Sequence, residues 1–248
     1  MSETFLTHTN RVIARLNEVQ LTSSDFNSSR GIQTQCKNAV NEAIRYINQK
    51  EFQYPFNHTT KTQTLTAGTV KYSIPTDAKT VDYNTFRLVK DSDLSTSGGR
   101  LPILNYNDYV NAYITQEDEI VTTTLSQSHT DSVTTITVAS TTGFDSTGTL
   151  HIGNEQVTYT GTTSTTFTGA TRGANSTTAS AHDSGVQVAQ FDRGAIPSYV
   201  TRTPDNNYIL YPYPNKSFSI KYDYFTFPSD MSAHGDTTSI PDRFAPII

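Results

Sequence analysis

Three consecutive acidic residues, Glu117, Asp118 and Glu119, form the densest group of chemically active side chains in the sequence. Such a cluster could bind a cation, or it could supply the two carboxylates that glycoside hydrolysis needs across a sugar. No aromatic cradle for a sugar is recognisable nearby, and short acidic runs are usually solvated turns. We therefore interpret the cluster as an exposed acidic turn and keep hydrolysis as the weakest of three functional hypotheses.

A second group of possible metal ligands lies in the middle of the chain: His129, Asp131, His151, Glu155, His182 and Asp183. Their spacing matches no metal motif, although the residue types suit hard or borderline cations. The sequence also lacks a Gly-x-Ser-x-Gly elbow, a phosphate-binding Gly-x-x-x-x-Gly-Lys loop and a Cys-x-x-Cys pair. We predict that the chain is not an enzyme and holds no metal or cofactor.

Two amphipathic helices are predicted at the N-terminus, over residues 4–20 and 29–51, because apolar residues recur there every three or four positions. The short connection between them favours a helical hairpin over residues 1–56. The single cysteine, Cys36, lies on the apolar stripe of the second helix and is expected to be buried. The residues expected to mediate helix packing are Leu16, Ile32, Val40, Ile44 and Ile47.

Alternating apolar residues predict strands on both sides of the middle of the chain. Residues 59–65 and 70–74 are expected to form a hairpin around Ala67-Gly68, and a short helix is expected from Asn107 to Tyr113. Further strands are expected at residues 81–89, 199–202, 208–211 and 218–227. Because the strands before and after the middle are alike in length and aromatic content, they should pair in one antiparallel sheet or barrel.

The middle of the chain, residues 122–190, changes to a run of Thr, Ser and Gly with regularly spaced apolar residues. This texture predicts a small all-β module inserted into a β-rich domain of residues 57–121 and 191–248. The expected fold class is α+β: an amphipathic helical hairpin, an antiparallel β-sheet or barrel domain, and the inserted module.

Aromatic residues follow the strands and the end of the second helix. Because they alternate along strands, packing in a core or an interface is favoured over carbohydrate stacking, and the sequence contains no Trp. The aromatic residues proposed as interface anchors are Phe52, Tyr54, Phe56, Tyr211 and Tyr213.

The overall composition limits the possible partners. The 248 residues are 34% hydrophobic and 17% charged, with a net charge of −5, so no basic surface for sequence-specific DNA binding is indicated. An acidic surface would let DNA pass without sticking. No basic and apolar leader and no apolar run of membrane-spanning length occur, which predicts synthesis in a cytoplasm and no membrane partner.

Several runs resemble the head-to-tail adaptor proteins of short-tailed phages, also called tail tubular protein A. In the N-terminal part these are Asn10-Arg11-Val12-Ile13-Ala14-Arg15-Leu16-Asn17-Glu18-Val19, Leu21-Thr22-Ser23-Ser24-Asp25-Phe26, Lys37-Asn38-Ala39-Val40-Asn41-Glu42-Ala43-Ile44, and residues 48–52 and 54–59. In the C-terminal part they are Gly194, residues 197–199, Tyr222-Asp223-Tyr224-Phe225, residues 228–234, and Ile240-Pro241-Asp242-Arg243-Phe244. The resemblance covers most of the chain outside residues 122–190.

This resemblance implies a structural virion protein of the phage neck and tail, made in the host cytoplasm. Copies of such adaptors form a ring, expected to be a dodecamer, beneath the portal protein. The ring extends the channel through which DNA is ejected, and it contacts the tail nozzle protein and tail fibres.

The inserted module is similar to a small β-module that recurs in phage tail and fibre proteins. The similarity rests on Gly148-Thr149-Leu150-His151-Ile152-Gly153-Asn154-Glu155, Tyr159, Phe167-Thr168-Gly169, Thr171-Arg172-Gly173-Ala174-Asn175, Thr178, His182 and Gly185. Its glycines, and Arg172-Gly173, are interpreted as turn residues. The alternative function is a tail fibre or receptor-binding protein whose module recognises host surface glycans.

Overall fold

A computed structural model describes residues 3–51, 53–89, 99–117, 120–191 and 194–243. Among these residues the α-helices are α1 (Phe5–Arg15), α2 (Ile32–Lys50) and α3 (Tyr106–Ala112). The strands are β1 (His58–Thr64), β2 (Lys71–Ser73), β3 (Ala78–Leu88), β4 (Val121–Thr124), β5 (Thr135–Thr137), β6 (Gly148–Ile152), β7 (Glu155–Tyr159), β8 (Gly161–Thr162), β9 (Thr166–Thr168), β10 (Gln187–Gln190), β11 (Tyr199–Arg202), β12 (Asn207–Tyr211) and β13 (Ser219–Thr226). Short 3₁₀ helices occupy Phe26–Ser28, Pro55–Asn57 and Ile114–Glu117.

The chain divides into two compact units. Unit 1 comprises Met1–Thr60, Pro75–Val81 and Asp223–Ile248, and unit 2 comprises Lys61–Ile74 and Asp82–Tyr222. This division differs from the boundaries 1–56, 57–121 with 191–248, and 122–190, which stay predictions.

Helix α1 is shorter than the predicted span of residues 4–20. The side-chain oxygen of Thr4 accepts a hydrogen bond from the backbone N–H of Thr7 and caps the N-terminus. At the other end Asn17 adopts a left-handed conformation with φ of 56°. The N–H of Glu18 then bonds the carbonyl of Ile13, and the N–H of Asn17 bonds that of Ala14, which is a Schellman motif. The helix therefore ends at Arg15.

Helix α2 matches its predicted span closely and packs against α1. Its buried stripe is Cys36, Val40, Ile44 and Asn48, one residue per turn. Around this stripe lies the core of unit 1, formed by Phe5, Ile13, Leu21, Phe26, Cys36, Val40, Ile44, Met231 and Ile240. The prediction that Cys36 is buried is confirmed, and burial raises the pKa of its thiol.

Among the described strands there are four sheets, with strand orders β1-β13-β3, β4-β10-β6-β7, β11-β12-β2 and β5-β9-β8. The α+β class is confirmed. Strands before and after the middle of the chain do pair, as β2 with β12. No described sheet closes into a barrel, since these strands form separate three-stranded sheets.

The predicted hairpin around Ala67-Gly68 is wrong. Strand β1 lies beside β13, and β2 lies beside β12, so the two strands do not pair with each other. The connecting segment is buried instead of turning in solvent: Gly68, at φ of 72°, donates its N–H to the carbonyl of Pro214. A Cβ at Gly68 would come within 3.0 Å of Ala189 and Phe191, so only glycine fits this close approach.

Residues 121–190 contribute two of the four sheets. Their shared core consists of Leu125, Ile136, Val138, Leu150, Ile152, Val157, Tyr159, Phe167, Ala170 and Val188. Strands β6 and β7 form a hairpin with Gly153, at φ of 61°, in the turn. Strands β4 and β10 are adjacent and antiparallel, with Val121 opposite Gln190.

Candidate interaction surface

An apolar groove lies on unit 1 at the C-terminal end of α2. It has a volume of about 380 Å³ and is lined by Ala43, Tyr46, Ile47, Lys50, Tyr54, Phe56 and Ile240. We call it the α2 groove.

The α2 groove follows from helical spacing. Ala43, Tyr46, Ile47 and Lys50 stand at intervals of three and four residues, so they share one face of α2. Because α2 has 19 residues and α1 has 11, this face is not matched by an equally long partner helix.

A buried polar contact fixes the opposite wall of the groove. The Asn57 amide donates to the Asn48 side-chain oxygen at 2.5 Å, and the Asn48 amide donates to the carbonyl of Ile44 at 2.8 Å. This holds the 3₁₀ helix Pro55–Asn57 against α2. The rings of Tyr54 and Phe56 stack with centroids 4.8 Å apart and form the wall.

Charge is present at the rim of the groove. The Lys50 ammonium lies 4.6 Å from the centre of the Tyr46 ring. A side-chain hydrogen bond with Tyr46 raises the pKa of Lys50. The groove is therefore an apolar surface with a cation at its edge, which suits a docking partner better than a reaction.

A second exposed apolar surface lies at the other end of the helical hairpin. It consists of Leu16, Val19 and Ile32, which are 50%, 78% and 42% exposed. The Gln33 amide donates to the carbonyl of Val19 at 3.1 Å and joins the loop to the start of α2. We call these three residues the loop-end patch.

The predicted helix-packing residues divide between core and surface. Val40 and Ile44 are buried in the core of unit 1, and Ile47 is half-buried in the α2 groove. Leu16 and Ile32 lie outside the buried core. Leu16 is exposed because α1 ends at Arg15, and Ile32 is the first residue of α2.

The predicted interface aromatics are placed as follows. Tyr54 and Phe56 line the α2 groove, whereas Phe52 lies outside the described residues. Tyr211 is half-buried and stacks on Tyr113, with ring centroids 4.0 Å apart. Tyr213 is 1% exposed and packs against Phe191, so its ring serves the core of unit 2.

The side chains of two of the possible metal ligands, Glu155 and His182, are in direct contact, and the Arg172 guanidinium binds the same carboxylate. Arg172 donates to both oxygens of Glu155 at 2.7 Å, and Nε2 of His182 lies 2.8 Å from Glu155 Oε2. The backbone N–H groups of Gly173 and Ser180 also donate to this carboxylate. We call these contacts the Glu155 network.

Two opposing effects determine the pKa of Glu155. Burial raises the pKa of Glu155, since the charged form loses hydration. The hydrogen bonds from Arg172, Gly173, His182 and Ser180 outweigh this and lower the pKa to about 2. The carboxylate therefore stays charged and joins β7 to the turn at Arg172-Gly173.

No group of three or more His, Cys, Asp or Glu residues in the described parts of the chain could hold a metal ion. His129 accepts a hydrogen bond from the N–H of Thr137 at 2.9 Å, and His151 lies elsewhere, against Phe191. Asp118, Glu119 and the side chain of Glu117 lie outside the described residues. The interpretation of that acidic cluster stays a prediction.

His151 is buried on β6 and stacks on Phe191, with ring centroids 3.9 Å apart. Burial lowers its pKa from 6.5 to about 4, and a hydrogen bond that the ring donates to the backbone of Asn215 opposes this only in part. The unfolded chain therefore binds more protons than the folded chain between these two pH values.

The stability of unit 2 is expected to fall as the pH drops from about 6.5 towards 4, by about 3 kcal/mol in all, since one unit of pKa corresponds to about 1.4 kcal/mol. His151→Phe keeps a ring on Phe191 and should remove this dependence. Urea unfolding at several pH values between 7 and 5 measures the effect, with exposed His234→Gln as the control. A variant His151→Phe with the same pH slope as the wild type would contradict this assignment.

The Glu155 network was not predicted from the sequence, although a signal for it exists. Glu155 lies on the same face of β7 as Val157 and Tyr159, because side chains alternate between the two faces of a strand, and all three are buried. A charged residue at an inward position of a strand requires a partner. The sequence pattern identifies the need, but it does not identify Arg172 or His182, which follow 17 and 27 residues later.

Comparisons with family models, with curated proteins and with solved structures find no match to this chain. Among the described residues, no helix is both long and apolar enough to span a membrane.

Proposed function

We propose that the chain is a structural virion protein: an adaptor subunit that assembles into a ring, expected to be a dodecamer, between a phage portal and its tail nozzle. The ring extends the DNA channel during ejection and offers its outer side to tail fibres. Its partners are further copies of itself, the portal protein, the nozzle protein and a fibre. DNA passes through the channel without sequence-specific contacts.

One observation carries this proposal most directly. Three residues named from the sequence as packing or interface residues, Ile47, Tyr54 and Phe56, line a single apolar groove on the helical unit. Aromatic side chains at the centre of such a surface contribute most of the binding energy in protein–protein contacts. A subunit of a permanent assembly needs this kind of surface, and it needs no catalytic group.

The charge of the chain supports a channel role. A net charge of −5 gives little attraction for the phosphates of passing DNA, and an acidic lining keeps DNA from adhering to the wall. We assign the module of residues 122–190 to the outside of the ring. There it would contact a fibre, a nozzle subunit or the host surface.

The oligomeric state tests the proposal against the fibre hypothesis. Native mass spectrometry and negative-stain electron microscopy of the purified protein are expected to show a closed ring of many copies with a central opening. A trimer would instead support a tail fibre or receptor-binding protein and would rule out the adaptor. Heterologous contacts between identical subunits produce a closed ring only when the rotation closes, so the copy number itself is informative.

A further inference from the structure

A histidine occupies an inward position of α1 without a hydrogen bond. Helix α1 buries Phe5, His8, Thr9 and Ile13, and this spacing is that of the inward face of an amphipathic helix. His8 is 2% exposed, and neither of its ring nitrogens has a hydrogen-bond partner among the described residues. Because a buried polar group without a partner is costly, histidine is an unusual residue for this position.

Charged groups from three segments act on the His8 ring: Glu3 before α1, Arg11 on α1, and Asp242 far along the chain. Glu3 Oε2 lies 3.8 Å from His8 Nδ1, too far for a hydrogen bond, and Arg11 already donates to both oxygens of that carboxylate. Burial lowers the pKa of His8 below its ordinary 6.5, and the nearby carboxylates offset this only in part. The ring is therefore neutral in the folded chain above pH 6.5.

Residues 230–242 lie across the start of α1, and we call them the strap. They contain none of the helices or strands named above. The N–H groups of Phe5 and Leu6 donate to strap carbonyls at 2.7 and 3.1 Å, and the N–H of Glu3 donates to the Asp242 carboxylate at 2.9 Å. The first N–H groups of a helix have no partner within the helix, so the strap satisfies two of them.

The strap is anchored against α2 as well. Its side chains Met231 and Ile240 belong to the core of unit 1, and Ile240 also lines the α2 groove. The Asn41 amide donates to the carbonyl of Met231 at 3.0 Å, and the N–H of Met231 donates to the Asn41 side-chain oxygen at 3.2 Å. The strap therefore connects the start of α1, one turn from His8, to one wall of the α2 groove.

We propose that the strap is an acid-sensitive latch, which protonation of His8 releases from α1. A charged imidazole must be hydrated, because no acceptor among the described residues lies within hydrogen-bond distance of it. Release of a segment without helix or strand admits water at a lower cost than unfolding of α1 or α2. The released chain binds a proton that the latched chain does not, so release becomes easier as the pH falls below about 6.5. It takes Ile240 out of the α2 groove, which then lacks one wall.

Hydrogen exchange of the full chain at pH 7, 6 and 5 measures release of the strap. The reporting amides are Phe5, Leu6 and Met231, each of which donates across the latch. Their protection factors are expected to fall by up to about tenfold for each pH unit below about 6.5, the limit that one proton sets. The Ile44 amide, in the middle of α2, should keep its protection.

Substitutions assign the proton to one ring. His8→Leu removes the titrating group and should abolish the pH dependence of the three amides. His8→Gln does the same without adding apolar surface, so the test remains valid if one variant folds poorly. His234→Gln removes the exposed ring of the strap itself and should keep the pH dependence. Asn41→Ala removes both hydrogen bonds to Met231, so it should lower protection equally at all three pH values.

The pattern of protection decides between the outcomes. A loss confined to Phe5, Leu6 and Met231, and absent from both His8 variants, would support the latch. The same pH dependence in the His8 variants as in the wild type would overturn it, as would protection that stays constant from pH 7 to 5. An equal loss at Ile44 would show that acid unfolds unit 1 as a whole, which also overturns it. The latch belongs to a single subunit, so none of these results bears on the adaptor proposal.

Discussion

Glu155→Gln is expected to lower the free energy of unfolding of unit 2 by about 3–5 kcal/mol. The substitution keeps the shape of the side chain but removes the charge that Arg172 and His182 contact. Breaking one side of a buried ion pair leaves the other charge buried without its counter-ion, and the penalty has this magnitude. Arg172 has no easy escape to solvent, because its side chain is 6% exposed.

Hydrogen exchange of the full chain measures the effect locally. The amides of β6 and β7 are expected to lose about a hundredfold or more in protection, since local opening reports the free energy of that region. Glu42→Gln, at an exposed position on α2, is the matched control and should change stability by less than about 0.5 kcal/mol. Equal protection in the two variants would show that the Glu155 network does not stabilise the module.

The double variant Glu155→Gln with Arg172→Met separates two explanations. If the loss comes from the unpaired guanidinium, removing both charges should recover part of the stability. If it comes from lost hydrogen bonds to Gly173 and Ser180, the double variant should be no better than the single one.

The Glu155 network should also make the stability of unit 2 depend on pH. The folded pKa of Glu155 is about 2 against an ordinary value of 4.5, so its stabilisation is complete above pH 4.5. It is lost as the pH falls towards 2. Glu155→Gln should remove the part of acid unfolding that occurs in this window, which overlaps the window assigned to His151 only between about pH 4 and 4.5.

Phe26→Ala is expected to destabilise unit 1 by about 3–5 kcal/mol, the usual cost of removing a buried phenyl ring. Phe26 is fully buried and contacts Phe5 edge to face, with ring centroids 5.1 Å apart. Such an aromatic pair adds to the energy of burial alone. The ammonium of Lys37 also lies 4.2 Å from the ring centre and donates to the carbonyl of Phe26 at 2.9 Å.

Tyr46→Ala is the control for this experiment, because it removes an aromatic ring of the same unit that is 59% exposed. It should lower the free energy of unfolding by less than about 1 kcal/mol, measured by urea unfolding monitored by circular dichroism. Similar losses of stability in the two variants would contradict the placement of Phe26 in the core and Tyr46 at the surface.

Helical periodicity predicted α2 well, because its buried residues recur once per turn from Cys36 to Asn48. The same signal extended α1 too far, since Leu16 and Val19 continue the apolar pattern beyond the true end. What ends the helix is the left-handed conformation of Asn17, a local feature that periodicity does not detect. The extra apolar residues became an exposed patch.

Long-range pairing was harder to predict than the strands themselves. The strands β11, β12 and β13 fall close to their expected positions, but β1 and β2 pair with distant strands instead of with each other. Gly68 suggested a turn exposed to solvent. The structure instead requires glycine at this position because a Cβ would approach Ala189 and Phe191 too closely. Alternation along a strand identifies a buried face, but it does not identify the neighbouring strand.

The candidate surface was predicted in part. Tyr54 and Phe56 were chosen as interface aromatics by residue type and position, and the structure places both in one groove with Ile47, which was predicted to pack between helices. Tyr213 has the same chemical character, but it is buried beside Phe191. Whether such an aromatic ring is buried or exposed depends on which other segments of the chain pack over it. A single sequence does not show which segments these are.

The pairing of β4 with β10 has a consequence for the chain between them. Val121 faces Gln190, and Thr124 faces Gln187, so the polypeptide leaves and returns on adjacent strands about 5 Å apart. The entropic cost of joining β4 to β10 depends only weakly on the length of the chain between them. Each doubling of that length costs about 0.6 kcal/mol. A two-residue turn could close the same gap. The segment between β4 and β10 can therefore change in length at little cost in chain entropy, because its two ends stay side by side.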